Sequence, residues 1–98
     1  MQNLIGNESA IQQLAAVVKT KRHDLGLSQL DLSYKLNLTA NSLISRVESG
    51  DYVPKAQTAF RISDALQIPK AHMLDLLIEI AKEGILEEMR EAPKGKVA

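Results

Sequence analysis

Residues 26–50, GLSQLDLSYKLNLTANSLISRVESG, decide the fold. Ser28 is of the residue type that caps the start of a helix, and Gly50 is of the type that ends one. Between them, Asn37 tolerates the left-handed backbone angles of a tight turn. On both sides of this turn, apolar or small residues recur at the three- and four-residue spacing of a helix. These residues are Leu32, Ser33, Leu36, Leu43 or Ile44, and Val47. The stretch therefore predicts two short helices joined by a tight turn.

The flanking sequence also predicts helices, and it lacks the sustained alternation of strands. Helix 1 is expected over residues 9–25, helix 4 over residues 55–66, and a last helical piece over residues 85–91. Ser9 and Gln12 have the spacing of a capping box at the start of helix 1. Pro69 suits the first turn of a fifth helix, which we expect to break at Gly84.

These elements define an all-α fold with two parts. Residues 1–77 form a compact five-helix domain, and residues 78–98 form a C-terminal helical extension with a polar tail. The segment 74–89 is more apolar than a core of this size requires. Its apolar residues include Leu76, Leu77, Ile80, Ile85 and Met89. We therefore expect this segment to be a dimerisation element that packs against a second copy of the chain.

Composition excludes several classes of protein. The chain has 98 residues, which suits one domain, and no cysteine, which excludes disulfides and thiol nucleophiles. His23 and His72 are too far apart for the usual metal spacings. The sequence has neither a glycine-rich phosphate loop nor a plausible Ser/His/Asp set, so we expect no enzyme activity, no catalytic residue, no cofactor and no metal. No apolar run reaches the roughly 20 residues of a membrane span, and residues 1–10 lack the basic-then-apolar pattern of a signal peptide. We expect a cytoplasmic protein without a membrane partner.

The net charge is zero, which by itself argues weakly against a nucleic-acid partner. Residues 1–70 contain 8 basic and 6 acidic residues, whereas residues 71–98 contain 4 and 6. A basic face must therefore come from the folded arrangement of the lysines and arginines in the first part.

The second helix of the pair has an outer side that suits a DNA groove. Once the apolar positions face inward, the residues left outside are Asn41, Ser42, Ser45 and Arg46. Short polar groups and a fork-shaped guanidinium can form hydrogen bonds with base edges and phosphates. In a helix-turn-helix the first helix crosses the DNA backbone and the second enters the major groove. The pattern thus predicts contact with double-stranded DNA.

The chain resembles the DNA-binding domain of the lambdoid phage repressors and Cro proteins, the XRE-type regulators. Two motifs at the right separation support this resemblance: Gly-Leu-Ser-Gln at residues 26–29 and Ile-Ser-Arg-Val-Glu-Ser-Gly at residues 44–50. The similarity covers about residues 11–77. It implies a repressor-like helix-turn-helix domain of bacterial or phage origin, which binds a palindromic DNA operator as a homodimer and represses transcription.

The resemblance also implies roles for individual residues. Gln29, Thr39 and Lys55 correspond to contacts with DNA phosphates. Arg22 and Glu48 correspond to a structural ion pair between the first and third helices. The base-reading positions are Asn41, Ser42, Ser45 and Arg46.

The second helix is expected to begin at Thr39 or Ala40, and between Asn37 and Ile44 the chain has one residue more than the usual pattern. Either Leu43 or Ile44 is then the first buried position of that helix. We favour Ile44, because this register keeps Glu48 in place for the ion pair.

A protein-interaction module, such as an antitoxin or adaptor with an unknown protein partner, is the alternative function. A fold does not settle function by itself, and the zero net charge is compatible with this reading. The two functions differ in whether the protein binds random duplex DNA at low salt.

Overall fold

The computed structural model describes residues 8–38 and 42–91, which form five α-helices and no strand. The helices are α1 (Ala10–Asp24), α2 (Gln29–Lys35), α3 (Ser42–Ser49), α4 (Ala56–Leu66) and α5 (Lys70–Glu91). The all-α, five-helix fold expected from the sequence is confirmed. No helix in the described part of the chain is long and apolar enough to cross a membrane.

Local sequence signals account for the ends of the first two helices. The Ser9 side chain accepts a hydrogen bond from the Gln12 backbone N–H, and the Gln12 side chain accepts one from the Ser9 N–H. Ser28 and Asp31 form the same reciprocal pair at the start of α2. Gly26 ends the turn after α1 with φ of 71°, a left-handed conformation in which a side chain would be strained.

The core lies where α1, α3, α4 and α5 meet, with α2 packed beside α3. Its members are all apolar: Leu14, Val18, Leu32, Leu36, Ile44, Val47, Ala59, Ile62, Leu66, Ile68, Met73 and Leu76. Ile44 is fully buried, whereas Leu43 is only partly buried at the edge of the core. The register with Ile44 inward is therefore the one the protein adopts.

Helix α5 is continuous through Gly84, so the predicted break there is wrong. A glycine inside a helix costs only about 0.5–1 kcal/mol relative to alanine. The residues around it are good helix formers, and Glu79–Lys82 and Glu87–Arg90 ion pairs support the helix on either side. The helix also crosses the expected boundary between residues 77 and 78 without interruption.

The second half of α5 extends past the core, since residues 81–90 are all exposed. One contact ties it back to the rest of the domain: a Glu83 carboxylate oxygen accepts a hydrogen bond of 2.9 Å from the backbone N–H of Ala10. This contact joins the middle of α5 to the first turn of α1, where N–H groups lack partners within the helix.

Candidate nucleic-acid interface

The turn that directly follows α2, at residues 36–38, is held by hydrogen bonds to α2 and α4. Asn37 adopts a left-handed conformation with φ of 58°, as its residue type predicts. The N–H of Leu38 donates to the carbonyl of Ser33 at 2.9 Å, and the Arg61 guanidinium from α4 donates to the carbonyl of Leu36. Ser33 is buried, and its hydroxyl has no partner among the described residues, so its small size is the property that suits it to this position.

Helix α3 separates its buried and exposed residues cleanly. Ile44 and Val47 face the core, while Ser42, Ser45 and Arg46 are exposed. Three of the four predicted base-reading residues therefore lie on the outer side of this helix. Asn41, the fourth, and Thr39, a predicted phosphate contact, lie outside the described residues.

Arg46 is held by the loop that follows α3. Its guanidinium carbon lies 5.3 Å from the centre of the Tyr52 ring, a distance at which the cation is attracted to the aromatic face. The loop returns to α3 because the N–H of Asp51 donates to the Arg46 carbonyl at 2.9 Å. The Ser49 hydroxyl lies 3.0 Å from that carbonyl and 3.0 Å from the Asp51 carboxylate. Tyr52 was not predicted to belong to this site; its one signal in the sequence is an aromatic side chain two positions after Gly50.

A buried ion pair links the end of α1 to the end of α3. Arg22 Nε donates to Glu48 Oε2 at 2.6 Å, and one of the two terminal nitrogens of Arg22, Nη2, donates to Glu48 Oε1 at 2.9 Å. The other terminal nitrogen donates to the Leu27 carbonyl at 2.7 Å. Only 7% of the Arg22 side chain and 4% of the Glu48 side chain are exposed. The pair thus fixes α3 on α1 through two parallel charged hydrogen bonds.

The pair changes the acidity of both groups. The hydrogen bond to Glu48 raises the pKa of Arg22, despite the opposing effect of burial. Burial alone raises the pKa of Glu48, but hydrogen bonds from Arg22 and Gln29, together with the positive charges of Arg22 and Lys19, outweigh it and lower the pKa. Glu48 is therefore a carboxylate at neutral pH.

Gln29 belongs to the same network. It opens α2, is partly buried, and donates through Nε2 to Glu48 Oε1 at 3.1 Å. A primary amide nitrogen has two hydrogens, so Nε2 keeps a second donor while it is bound to Glu48. The structure thus brings Gln29, Arg22 and Glu48 together, and this contact between Gln29 and Glu48 was not foreseen from the sequence.

Lys55 lies apart from that network. It is the residue before α4, its side chain is exposed, and it makes no capping hydrogen bond. The buried Pro54 precedes it and anchors the loop at this point. Lys55 therefore offers a solvated cation at the start of a helix.

The geometry defines a class of protein: a small all-helical domain in which the second of two short, consecutive helices presents a polar face. The sequence matches the helix-turn-helix family over residues 18–72, which include α2, α3 and α4 in full. The chain belongs to this family of DNA-binding regulators, the XRE/Cro/C1 type. Searches among curated proteins and among solved structures returned no match.

Proposed function

We propose that the protein is a transcriptional repressor that binds a palindromic operator as a homodimer, with α3 in the major groove. The observation that carries this proposal is the outer side of α3, where Ser42, Ser45 and Arg46 are exposed opposite a fully buried face. Repression requires only that the protein occupy DNA needed by the polymerase, which a small domain can do without a further activity.

In this proposal, base reading and backbone binding are separate tasks. Ser42, Ser45 and Arg46, with Asn41, form hydrogen bonds with base edges, which carry the sequence information. The phosphate contacts come from Gln29, Thr39 and Lys55, and they fix the position of the domain on the duplex. Gln29 suits this task because one hydrogen of its Nε2 is bound to Glu48 and the second remains a donor for a phosphate oxygen.

The homodimer is proposed to form along α5. Five exposed apolar residues project within about 80° of one another on this helix and form a stripe: Leu74, Ile78, Ala81, Ile85 and Met89. The other predicted interface residues instead pack in or against the core of their own chain: Leu76, Leu77 and Ile80. An apolar stripe on a helix about 33 Å long is suited to an antiparallel match with the same stripe of a second copy. Such a dimer has half-sites about 10 bp apart.

Binding measurements with two variants test the DNA contacts. The operator is first selected from a random oligonucleotide pool, and affinity for it and for random duplex is measured at several salt concentrations. Arg46→Ala should lower operator affinity about 5- to 150-fold and relax the preference at one base pair per half-site. Lys55→Ala should weaken binding to both DNAs alike and reduce the salt slope by about one. Lys82→Ala, which removes an exposed cation on α5, is the matched control and should do neither.

Two outcomes count against this assignment. If Arg46→Ala weakens both DNAs equally, Arg46 contacts the backbone and base reading passes to Asn41 and Ser45. If the wild-type protein binds no duplex even at low salt, the DNA-binding proposal is wrong and the protein-interaction alternative is the one to test next.

Neighbouring residues on α5 test the dimer. Ile85 and Leu86 are 57% and 55% exposed, but they project about 100° apart, so only Ile85 lies on the stripe. Ile85→Lys should shift the protein to monomers in sedimentation experiments and abolish the preference for paired half-sites. Leu86→Lys should leave both properties unchanged. Equal effects of the two substitutions, or a wild-type monomer on the operator, would contradict the proposed interface.

A further inference from the structure

The outer side of α3 carries a cleft as well as single side chains. Its walls are Ser42, Leu43, Arg46 and Tyr52. Two of these residues are the polar, exposed base-reading candidates, and the other two are partly buried apolar groups at the edge of the core. The cleft therefore combines an apolar side with a guanidinium on one surface.

We propose that Tyr52 positions Arg46 to read a guanine and that the cleft receives the methyl group of a neighbouring thymine. This inference rests on the proposed function, since it requires α3 to lie in the major groove. It goes further by naming the base features that each operator half-site must contain. Tyr52 is a positioning residue because it acts through Arg46.

The first step concerns the conformation of Arg46. A free arginine side chain samples many rotamers, and ordering it on DNA costs entropy. Contact with the Tyr52 ring at 5.3 Å restricts the guanidinium. A cation–π contact uses none of the N–H groups as conventional hydrogen-bond donors to oxygen, so they remain able to donate to a base. An arginine held in this way can donate two parallel hydrogen bonds to O6 and N7 of guanine, the pairing that its fork geometry favours.

The second step concerns the apolar wall. Leu43 and Tyr52 present carbon atoms beside the guanidinium, and Ser42 closes the cleft with a small hydroxyl. In the major groove, the C5-methyl of thymine is the apolar feature that distinguishes one base from the others. A base next to the guanine would place such a methyl against Leu43 and Tyr52 and remove apolar surface from water.

The test combines variants with altered bases in the selected operator. The selected half-site should contain a guanine with an adjacent thymine. Replacing that thymine by deoxyuridine removes only the methyl and should weaken wild-type binding about fourfold, which corresponds to about 0.8 kcal/mol for one buried carbon. Replacing the guanine by 7-deazaguanine removes the N7 acceptor and keeps O6, so it should weaken wild-type binding by the loss of one hydrogen bond and have no effect in Arg46→Ala.

Tyr52 variants separate positioning from a merely structural role. Tyr52→Phe keeps the ring and should preserve both the guanine preference and the thymine effect. Tyr52→Ala removes the ring, so the penalty for deoxyuridine should vanish and the preference for guanine should fall about two- to fivefold, the range expected for an exposed cation–π contact. Tyr34→Ala is the matched control, because Tyr34 is an exposed tyrosine on α2 that does not line the cleft.

Each outcome decides between explanations. If Tyr52→Ala weakens operator and random DNA by the same factor, Tyr52 supports only the fold and the inference is overturned. It is also overturned if the selected site lacks the guanine–thymine neighbour or if deoxyuridine has no effect. Failure of the proposed function is distinguishable from failure of this inference, because the wild-type protein would then select no sequence from the oligonucleotide pool.

Discussion

Removing one partner of the buried Arg22–Glu48 pair should be among the most damaging single changes to this domain. In Arg22→Met, Glu48 loses two charged hydrogen bonds and keeps, among the described residues, the one from Gln29. Charged hydrogen bonds contribute about 1.5–3 kcal/mol each, so the two together amount to about 3–6 kcal/mol. Breaking a buried pair by removing one charge costs about 3–5 kcal/mol, which agrees with that sum. For a domain of this size the melting temperature should fall by about 12–40 °C.

The assay is chemical denaturation followed by far-ultraviolet circular dichroism, at one protein concentration because dimerisation affects stability. The double variant Arg22→Met with Glu48→Leu leaves no unpaired charge, and should be less destabilised than the sum of the single variants by about 2–3 kcal/mol. If Arg22→Met does not fold, Arg22→Lys can be measured in its place. This variant keeps the charge but loses the bidentate hydrogen bonds, so its free energy of unfolding should fall by a smaller amount.

A second ion pair in the protein provides the control. Arg90 and Glu87 lie 2.7 Å apart, close to the 2.6 Å of the buried pair, but their side chains are 68% and 53% exposed. Removing either should change stability by about 0.5 kcal/mol or less, because water solvates the remaining charge. If the two pairs give similar small, additive effects, burial does not govern the strength of the Arg22–Glu48 pair and the reasoning is wrong.

Three further predictions concern stability. The pKa of Glu48 is lowered in the folded protein, so its stabilising effect is present above the unfolded-state pKa and is lost as pH falls through the folded-state pKa. Unfolding midpoints measured from neutral to acid pH should therefore fall less steeply in Glu48→Gln than in the wild-type protein. Glu83→Ala removes the acceptor for the Ala10 N–H and should cost about 1 kcal/mol by denaturation, whereas Glu88→Ala at an exposed site on the same helix should not. Gly84→Ala should raise stability by about 0.5–1 kcal/mol, since an added methyl meets no atom within 4 Å, and an unchanged or lower midpoint would mean that the helix interior is not as described.

The features that the sequence predicted are those whose cause is local. A capping box needs residues three positions apart, so Ser9 and Ser28 mark their helices without knowledge of the rest of the fold. Asn37 likewise acts through its own backbone angles. The inward orientation of Ile44 followed from its distance to Glu48, because residues four apart on a helix have a fixed relative direction.

The features that could not be predicted from the sequence depend on contacts between residues far apart in the chain, or on the sum of many small contributions to helix stability. The bond between Ala10 and Glu83 joins residues 73 positions apart, and only the packing of α5 on α1 brings them together. The contact between Arg46 and Tyr52 depends on how the loop after α3 returns. The break at Gly84 was wrong because one unfavourable residue is outweighed by many favourable neighbours in a helix of 22 residues.

The negative charge of Glu48 links the stability of the fold to the proposed DNA contact of Gln29. A carboxylate and a phosphate can only accept hydrogen bonds, so Nε2 of Gln29 is the atom able to bridge the two. In the proposed complex, this arrangement places a negative charge near the DNA backbone, and Arg22 neutralises that charge from 2.6 Å. Arg22→Met should therefore weaken binding to operator and random DNA alike beyond the loss of folded protein, most strongly at low salt, where repulsion is least screened. Arg22→Met with Glu48→Leu removes both charges and should recover most of that affinity once corrected for the folded fraction. If the double variant binds no better than Arg22→Met, the repulsion argument fails and the effect of Arg22 on binding comes from the fold alone.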